Sequence, residues 1–397
     1  MEAVRRHALT PSAYQRVRQD TLMLIEPLTA EDCGLQAAPF VSPAKWHLAH
    51  TTWFFETFLL LPHFPDYPVY HPQFQVLFNS YYNGIGEQYP RPQRHLLSRP
   101  SLDEVLAYRR HVDGYMHELL ARPDLEALVE LGIHHEQQHQ ELLLMDLKYS
   151  WFQNPLYPVY GDRFSGLVTD STQWKTVASG LYKIGHDGHS FSFDNESPVH
   201  QHWLPSFDIN LGLSSNGEYL AFMEAGGYDD PALWLSDGWA WRQQTNTTHP
   251  LYWVKRNDEW CEYDLAGLQP LDLTRPVLHV SFYEAMAFAQ WQRARLPTEQ
   301  EWEVAARALK MESNEQWMAT TWQWTQSPYQ PYPGFQVPEG AVGEYNGKFM
   351  CNQMTLRGGS SLTPVGHSRA TYRNFFYPHD RWPMTGIRLA RDSVLNT

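Results

Sequence analysis

Cysteine is scarce in this chain: 397 residues contain three, at Cys33, Cys261 and Cys351, and no Cys-x-x-Cys pair occurs. A disulfide framework is therefore not expected, which favours a reducing, cytoplasmic location. No stretch reaches the ~20 consecutive apolar residues of a membrane span. The N-terminus also lacks the basic segment followed by an apolar segment that marks a secretory signal.

Positively charged residues are also few, since the chain has 30 Lys and Arg residues and 44 Asp and Glu residues, for a formal net charge of −14. Without a long basic run, nucleic acids and anionic membranes are poor candidates as partners. Aromatic rings, in contrast, are abundant, with 16 Trp, 22 Tyr and 19 Phe. Such rings suit pockets with aromatic walls.

Helical periodicity dominates roughly the first 150 residues. Thr10-Pro11 predicts the start of a first helix, and a second helix is expected from about Pro43 to Leu61. Ser101 and Glu104 form a capping-box pattern that opens a third helix, and a fourth follows Asp124. Four amphipathic helices of this kind predict a four-helix bundle, whose core often holds a metal site.

The character of the chain changes near residue 155, where Pro155, Pro158 and Gly161 indicate a linker. Short alternating segments such as 180–185 follow, with helices predicted at 215–225, at 281–293 and after Thr298. We therefore predict two domains, 1–155 and 156–397. The fold class is α plus α+β, with a helical bundle followed by an irregular α+β domain.

Histidines carry the strongest chemical signal. His135 and His139 are four residues apart, so on a helix they share a face and can bind one metal ion. A third imidazole from the upstream pair, His47 and His50, would complete a three-histidine site with open coordination positions. All-imidazole ligation suits Fe(II), Zn(II) or Cu(II), and the spacing does not choose among them.

The segment 135–139 also matches His-Glu-x-x-His, the zinc metalloprotease pattern, in which Glu136 would be the general base. We disfavour that interpretation because no acidic residue shortly downstream has a helical context for a third ligand, and because His47 and His50 would have no role. Glu141 lies on another side of the helix from His135, so we expect it beside the site or at the surface rather than on the ion.

A long irregular segment, 62–100, separates the second and third helices, and such loops are usually functional. It carries Tyr81 and Tyr82, whose plainest interpretation is packing. It also carries Arg91 and Arg94, which either bind a substrate carboxylate or lie in a solvated loop. Farther along, 372–377 is an aromatic cluster that suits either a core or a wall for a quaternary ammonium group.

Five motifs together resemble the ergothioneine-biosynthesis sulfoxide synthases. They are Trp46-His-Leu-Ala-His50, His135-x-x-x-His139-x-Glu141, Leu296-Pro-Thr-Glu-x-Glu-Trp, Arg357-Gly-Gly-Ser and Arg373-Asn-Phe-Phe. The resemblance covers nearly the whole chain. It implies a DinB-like four-helix bundle followed by a C-type-lectin-like domain similar to the formylglycine-generating enzyme, which contributes to the substrate pocket.

The resemblance also implies a chemistry: Fe(II) held by His50, His135 and His139, with hercynine, a thiol and O2 as substrates and a sulfoxide as product. His47 and His134 would then support or pack around the site. Tyr81 and Tyr82 would supply a proton or hydrogen atom that favours C–S bond formation over thiol dioxygenation. Their order of importance is left open, as is formation of a homo-oligomer.

Substrate contacts are implied as well. Arg91 and Arg94 would hold the carboxylate of free cysteine, and Phe376 stands where relatives that use γ-glutamylcysteine carry an acid. Gln138 and Asn374 would contact hercynine near its ammonium end, with Phe375 as a wall. Two alternatives stay open: a selenoneine-forming enzyme that uses a selenium donor, and a non-catalytic, metal-stabilised binding protein with a lectin-like module.

Overall fold

The N-terminal region is built from helices α1 to α7 in the computed structural model, which describes residues 2–162, 169, 171–311 and 314–393. The helices are α1 Glu2–Ile25, α2 Ala30–Cys33, α3 Ala44–Phe55, α4 Leu61–His63, α5 Phe74–Leu77, α6 Leu102–Leu119 and α7 Glu126–Phe152. A π-helical turn, Glu56–Leu60, joins α3 to α4. The long helices pack as a bundle, with α1 against α7 and α3 against both α6 and α7.

Local sequence signals explain where these helices begin. The Ser101 hydroxyl accepts a hydrogen bond from the backbone N–H of Glu104, and the Glu104 carboxylate accepts one from Ser101, so the predicted capping box is confirmed. The predicted start at Thr10 is wrong, because α1 begins at Glu2 and Pro11 lies inside it. A proline removes one backbone hydrogen bond, and here that loss does not end the helix.

A buried ion-pair network ties the four long helices together. Arg18 of α1 donates to Asp113 of α6 at 2.7 Å and to Glu136 of α7 at 2.9 Å. Its remaining nitrogen donates to Thr52 of α3 at 3.0 Å. Arg109 of α6 also donates to Glu136, whose side chain is fully buried. Every helix of the bundle thus contributes to the hydrogen bonding of two buried arginines.

Short strands and helices alternate in the C-terminal region. The helices are α8 Asn216–Glu224, α9 Ser236–Thr245, α10 Phe282–Trp291, α11 Glu299–Ala308 and α12 Glu315–Met318. The strands are β1 Trp174–Val177, β2 Gly180–Ile184, β3 His200–Leu204, β4 Phe207–Asn210, β5 Trp253–Arg256, β6 Glu259–Asp264, β7 Gly267–Pro270, β8 Thr321–Pro328, β9 Met354–Gly359, β10 Asn374–Phe376, β11 Thr385–Gly386 and β12 Ala390–Asp392.

The strands form four small sheets among the described residues, with the orders β1-β4-β12, β10-β9-β8-β11, β2-β3 and β5-β6-β7. All pairings are antiparallel except β8 with β11. The predicted order, a helical region followed by an irregular α+β region, is confirmed. Helix α9 was not predicted, because Ser236-Asp237-Gly238 at its start is typical of a turn.

The C-terminal sequence motifs share a buried ion-pair cluster. Arg373 donates to Glu299 at 2.8 Å, and Arg357 donates to Glu303 at 2.5 Å. Glu299 and Glu303 lie on α11, which begins at the capping box of Thr298 and Glu301. Arg357 is on β9, and Arg373 immediately precedes β10. The cluster therefore fixes β10, the strand of Asn374 to Phe376, relative to α11 and β9.

The chain forms two compact units. The first contains Met1–Gly161 together with two distant segments, Glu339–Tyr345 and Leu362–His367, and the second contains the rest. The limits 1–155 and 156–397 stay a prediction. Within the described residues, none of the helices combines the length and apolar character that crossing a membrane requires.

Candidate metal centre

Three histidines, His50, His135 and His139, lie side by side in the first unit. One ring nitrogen from each lies within 4.8 Å of the other two, and the ring centroids are 4.7 to 5.0 Å apart. His50 comes from α3, and the other two come from successive turns of α7. The four-residue spacing therefore places both histidines of α7 beside the one from α3.

Several nitrogens of this group have no hydrogen-bond partner. Within the described part of the chain, no partner lies beside Nε2 of His50 or beside either ring nitrogen of His135. Nδ1 of His50 lies 2.6 Å from the carbonyl oxygen of Phe78, so this nitrogen carries the proton and Nε2 keeps its lone pair. Buried nitrogens of this kind are normally paired. One metal ion among the three rings would take one nitrogen from each of them, including Nε2 of His50 and one of the two nitrogens of His135.

Burial also sets the protonation state of the three rings. It lowers the pKa of His135 to about 3. Burial, and then the neighbouring histidines, hold the pKa values of His50 and His139 well below 6.5. The rings are therefore neutral near pH 7 and present lone pairs, which is the form that binds a metal.

Gly132 allows α3 and α7 to approach closely enough for this group to form. A Cβ atom at Gly132 would lie 2.5 Å from Cε1 of Phe55 and 3.2 Å from Cε1 of Phe54. Phe54 in turn packs against the ring of His135, with centroids 4.6 Å apart. Gly132 lies one helical turn before His135 on α7, so a side chain there would push the two helices apart.

Glu136, Glu141 and His134 also lie near this group and have other partners. Glu136 is held between Arg18 and Arg109, which does not fit the general base of a metalloprotease. Glu141 is buried and accepts a hydrogen bond from Thr363 at 2.9 Å. We expected Glu141 either beside the site or at the surface, and the surface position is wrong. His134 faces His367, with their Nδ1 atoms 3.0 Å apart.

The two adjacent tyrosines lie on the loop after α5. Asn79 fixes this loop, because its side chain both accepts from the backbone N–H of Tyr82 at 3.1 Å and donates to its carbonyl at 3.0 Å. Tyr82 is fully buried, and its ring lies 4.7 Å from that of Tyr81 and 5.6 Å from that of Trp53. Trp53 stacks on His50 at 5.6 Å. A short aromatic path thus joins Tyr82 to the three-histidine group.

The Tyr82 hydroxyl forms no hydrogen bond of normal geometry with the described residues, although Tyr81 stands beside it. Burial raises the pKa of Tyr82 well above 10, and the neighbouring Tyr81 and Tyr345 raise it further. The phenol is therefore protonated at neutral pH. It suits a group that gives up a proton or hydrogen atom rather than one that accepts a proton.

A segment from the distant end of the chain completes this part of the first unit. Glu344 accepts hydrogen bonds from the backbone N–H groups of Asn83 at 3.0 Å and Gly84 at 2.7 Å, immediately after the two tyrosines. Tyr345 places its ring edge-on to His135, with centroids 5.5 Å apart. Its hydroxyl donates to the side-chain oxygen of Gln138. Glu344 and Tyr345 were not predicted from the sequence, because no periodicity or motif marks them.

The two predicted arginines differ sharply. Arg94 is 3% exposed, donates to Ser42 at 2.8 Å, and stacks 3.3 Å from the ring centroid of Trp46. Trp46 stacks in turn on His50, with centroids 4.6 Å apart. Arg94 forms no ion pair with a carboxylate of the described residues, and burial lowers its pKa. Arg91 is exposed and donates to the carbonyl of Phe40.

The residues predicted to contact the substrates, hercynine or the thiol, fall in both units. Gln138 is in the first, where it bonds to Tyr345. Asn374, Phe375 and Phe376 form β10 in the second. Phe375 stacks on Tyr329, with ring centroids 4.2 Å apart, and on Phe349, with ring centroids 5.7 Å apart. The roles assigned to these four residues stay predictions.

Comparison with known proteins identifies both domains. The sulfatase-modifying factor enzyme 1-like domain matches residues 168–321 and 315–393, and the DinB superfamily matches residues 13–143. The predicted kinds of domain are thereby confirmed.

Three relatives show how far the likeness extends. Hercynine oxygenase of Mycolicibacterium smegmatis is 30% identical over 94% of this chain and 96% of its own length. The hercynine oxygenase of Mycobacterium tuberculosis is 30% identical over 95% of this chain and 97% of its own. Ergothioneine biosynthesis protein 1 of Schizosaccharomyces pombe is 25% identical over 56% of this chain and 31% of its own. The first two likenesses span both domains.

Proposed function

The chain belongs to the hercynine oxygenase family, and we propose that it joins the sulfur of cysteine to C2 of the hercynine imidazole, giving a sulfoxide for ergothioneine biosynthesis. The reaction takes one hydrogen from the thiol and one from C2. One atom of O2 ends on sulfur and the other leaves as water, so no external reductant is needed.

The observation that carries this proposal is the group of three clustered, neutral imidazoles, two of which, His50 and His135, are buried and have ring nitrogens without a hydrogen-bond partner among the described residues. We propose that His50, His135 and His139 hold Fe(II), the metal that the family resemblance implies. Bound iron would supply open coordination positions that bring thiolate, imidazole and O2 together. The metalloprotease interpretation receives no support, because Glu136 is engaged by two arginines.

Arg94 supports an amino-acid thiol as the co-substrate. A buried guanidinium without an anionic partner is costly, and a substrate carboxylate would relieve that cost through two parallel hydrogen bonds. We assign Arg94 to the α-carboxylate of cysteine. Arg91 is a weaker candidate than the sequence suggested, because its exposed side chain is engaged by a backbone carbonyl. The choice of cysteine over γ-glutamylcysteine rests on Phe376, which offers no charge to a longer substrate.

Tyr82 is our candidate for the donor that directs the reaction towards C–S bond formation. Its hydroxyl is protonated, buried and without a regular hydrogen bond, whereas Tyr81 is only partly buried. The loop that carries it is fixed at one end by Asn79 and at the other by Glu344. A phenol held in this way needs little reorganisation when it transfers its proton.

An anaerobic reconstitution tests the proposal. The protein is stripped of metal, reloaded with Fe(II) or with Zn(II), and given hercynine with either cysteine or γ-glutamylcysteine before air is admitted. Mass spectrometry is expected to show a hercynylcysteine sulfoxide with iron and free cysteine, and none with zinc. Product from γ-glutamylcysteine alone would overturn the assignment of the thiol. No C–S product from either thiol with bound iron would favour a selenium donor, and then a binding protein.

A further inference from the structure

A chain of hydrogen bonds leads away from the three-histidine group into the bundle. Nδ1 of His139 lies 2.8 Å from Nδ1 of His47, and Nε2 of His47 lies 3.0 Å from a carboxylate oxygen of Asp146. His47 and Asp146 are both buried. Asp146 follows His139 by seven residues on α7, so the two share one face of that helix.

The role of His139 determines which nitrogen donates and which accepts in each of these hydrogen bonds. If His139 gives Nε2 to a metal, Nδ1 must carry its proton and donate to His47. His47 then accepts at Nδ1, carries its own proton on Nε2, and donates to Asp146. The chain therefore ends on a buried anion, whereas His50 donates to the neutral backbone carbonyl of Phe78.

The same carboxylate oxygen has a second donor. The backbone N–H of Ser42 donates to it at 2.7 Å, and the Ser42 hydroxyl accepts a hydrogen bond from Arg94 at 2.8 Å. Ser42 thus links the carboxylate of Asp146 to the buried guanidinium of Arg94. The network runs from Arg94 through Ser42, Asp146 and His47 to His139.

We propose that Asp146 is a positioning residue that sets the donor strength of His139 through His47 and the placement of Arg94 through Ser42. A histidine ligand whose second nitrogen donates towards a carboxylate is a stronger donor and is fixed in orientation. Removing such a partner typically weakens metal affinity about 10- to 100-fold. The inference has two halves. The metal half, which concerns the donor strength of His139, rests on the three-histidine site alone. The arginine half, which concerns the placement of Arg94, rests on the proposed function.

Titration of the metal-free protein with Co(II) tests the metal half, with the visible absorption bands of the bound ion as the readout. Asp146→Asn keeps the shape of the side chain and removes its charge, and we expect roughly 10- to 100-fold weaker binding together with shifted bands. His47→Phe should behave in the same way. His47→Gln, whose amide can accept from His139 and donate to Asp146, should restore much of the affinity.

His367→Gln is the matched control, because His367 contacts a histidine of the same helix but no member of the network. We expect it to bind Co(II) like the wild type. Wild-type affinity and spectra in both Asp146→Asn and His47→Phe would overturn the metal half. If Asp146→Asn does not fold, as judged by circular dichroism, the pair of His47 variants decides.

Ser42→Ala separates the arginine half, since it keeps the backbone bond to Asp146 and removes the hydroxyl that Arg94 contacts. It should leave Co(II) affinity unchanged and raise the concentration of cysteine needed to perturb the Co(II) spectrum about tenfold, as for one lost hydrogen bond to a charged group. An unchanged cysteine dependence would overturn that half. The Co(II) affinities need neither substrate nor turnover, so the metal half fails or succeeds independently of the proposed reaction. The arginine half depends on cysteine binding, and a wild-type Co(II) spectrum that does not respond to cysteine would count against the assignment of the thiol instead.

Discussion

Glu136 offers a demanding test of how the bundle is held together, because its sequence context suggests catalysis and its surroundings indicate structure. Glu136→Gln removes the charge that faces Arg18 and Arg109 and keeps the size of the side chain. Arg18 retains Asp113, whereas Arg109 loses its carboxylate partner among the described residues. We therefore expect a less stable bundle whose remaining iron-loaded fraction is still active.

The size of the loss follows from the pKa of Glu136 and from the usual cost of breaking a buried ion pair. Burial alone would raise the pKa of Glu136, but Arg109, Arg18 and Thr21 hold it at about 2, against an ordinary 4.5. A difference of that size corresponds to about 3 kcal/mol of stabilisation at neutral pH. Breaking a buried ion pair from one side typically costs about 3–5 kcal/mol. We therefore expect the free energy of unfolding to decrease by about 3 kcal/mol.

The sign of the pH dependence follows from the same pKa. A carboxyl group whose pKa is lowered by folding stabilises the folded protein above its unfolded pKa, and this stabilisation is lost as the pH falls towards the folded value. The difference between wild type and Glu136→Gln should therefore be constant between about pH 6 and 8 and shrink between about 4.5 and 2.

Urea unfolding of the metal-free chain, followed by circular dichroism at a helical band, measures the difference. Glu130→Gln is the matched control, because Glu130 is exposed on the same helix, and it should change stability by less than about 0.5 kcal/mol. A Glu136→Gln protein as stable as the wild type would refute the structural argument. Normal stability and normal iron binding combined with lost turnover would instead revive a catalytic role.

Three further predictions concern the loop of the tyrosines and the arginines. Tyr82→Phe should shift the products from sulfoxide towards oxidised cysteine, whereas Tyr70→Phe, in the same connecting segment, should leave the ratio unchanged; an unchanged ratio in both would remove Tyr82 from the mechanism. Arg94→Gln should raise the KM for cysteine roughly 10- to 100-fold, as for loss of about 1.5–3 kcal/mol, with a smaller effect on hercynine. Arg91→Gln should raise the KM for cysteine less than Arg94→Gln does. Equal increases would contradict the assignment of the carboxylate to the buried Arg94 rather than to the exposed Arg91. Glu344→Ala should speed proteolytic cleavage of the tyrosine loop and lower the share of sulfoxide while Co(II) affinity is kept; wild-type cleavage would show that this carboxylate does not hold the loop.

Helical periodicity is local, so the sequence could predict which histidines share a helix face. His135 and His139 share a face of any helix that contains them, and both His47 and His50 lie on the apolar stripe of α3. Spacing could not choose between the two upstream histidines. The structure distinguishes them by their partners, since both ring nitrogens of His47 are engaged by His139 and Asp146, whereas Nε2 of His50 is not.

Other parts of the site could not be predicted in this way. Tyr345 meets Gln138 across 207 residues of chain, and it lies in an irregular segment without periodicity. The burial of Arg94 was equally hidden, because it depends on a tertiary stack with Trp46. Asp146 did carry a signal, seven residues after His139, which sequence reasoning overlooked.

Two distant segments, Glu339–Tyr345 and Leu362–His367, belong to the first unit, and this limits where the chain can be cut to express its domains separately. A recombinant fragment that stops at Gly161 would retain all three histidines and both tyrosines. It would lack Glu344, Tyr345 and Thr363, three residues that bond to the helical region. Such a fragment should therefore bind metal with the tyrosine loop still held by Asn79 but no longer by Glu344. If the chain is divided near Gly161, for separate expression or for exchange of domains, we expect the N-terminal fragment to bind metal. It would lack three residues that bond to the helical region in the whole protein.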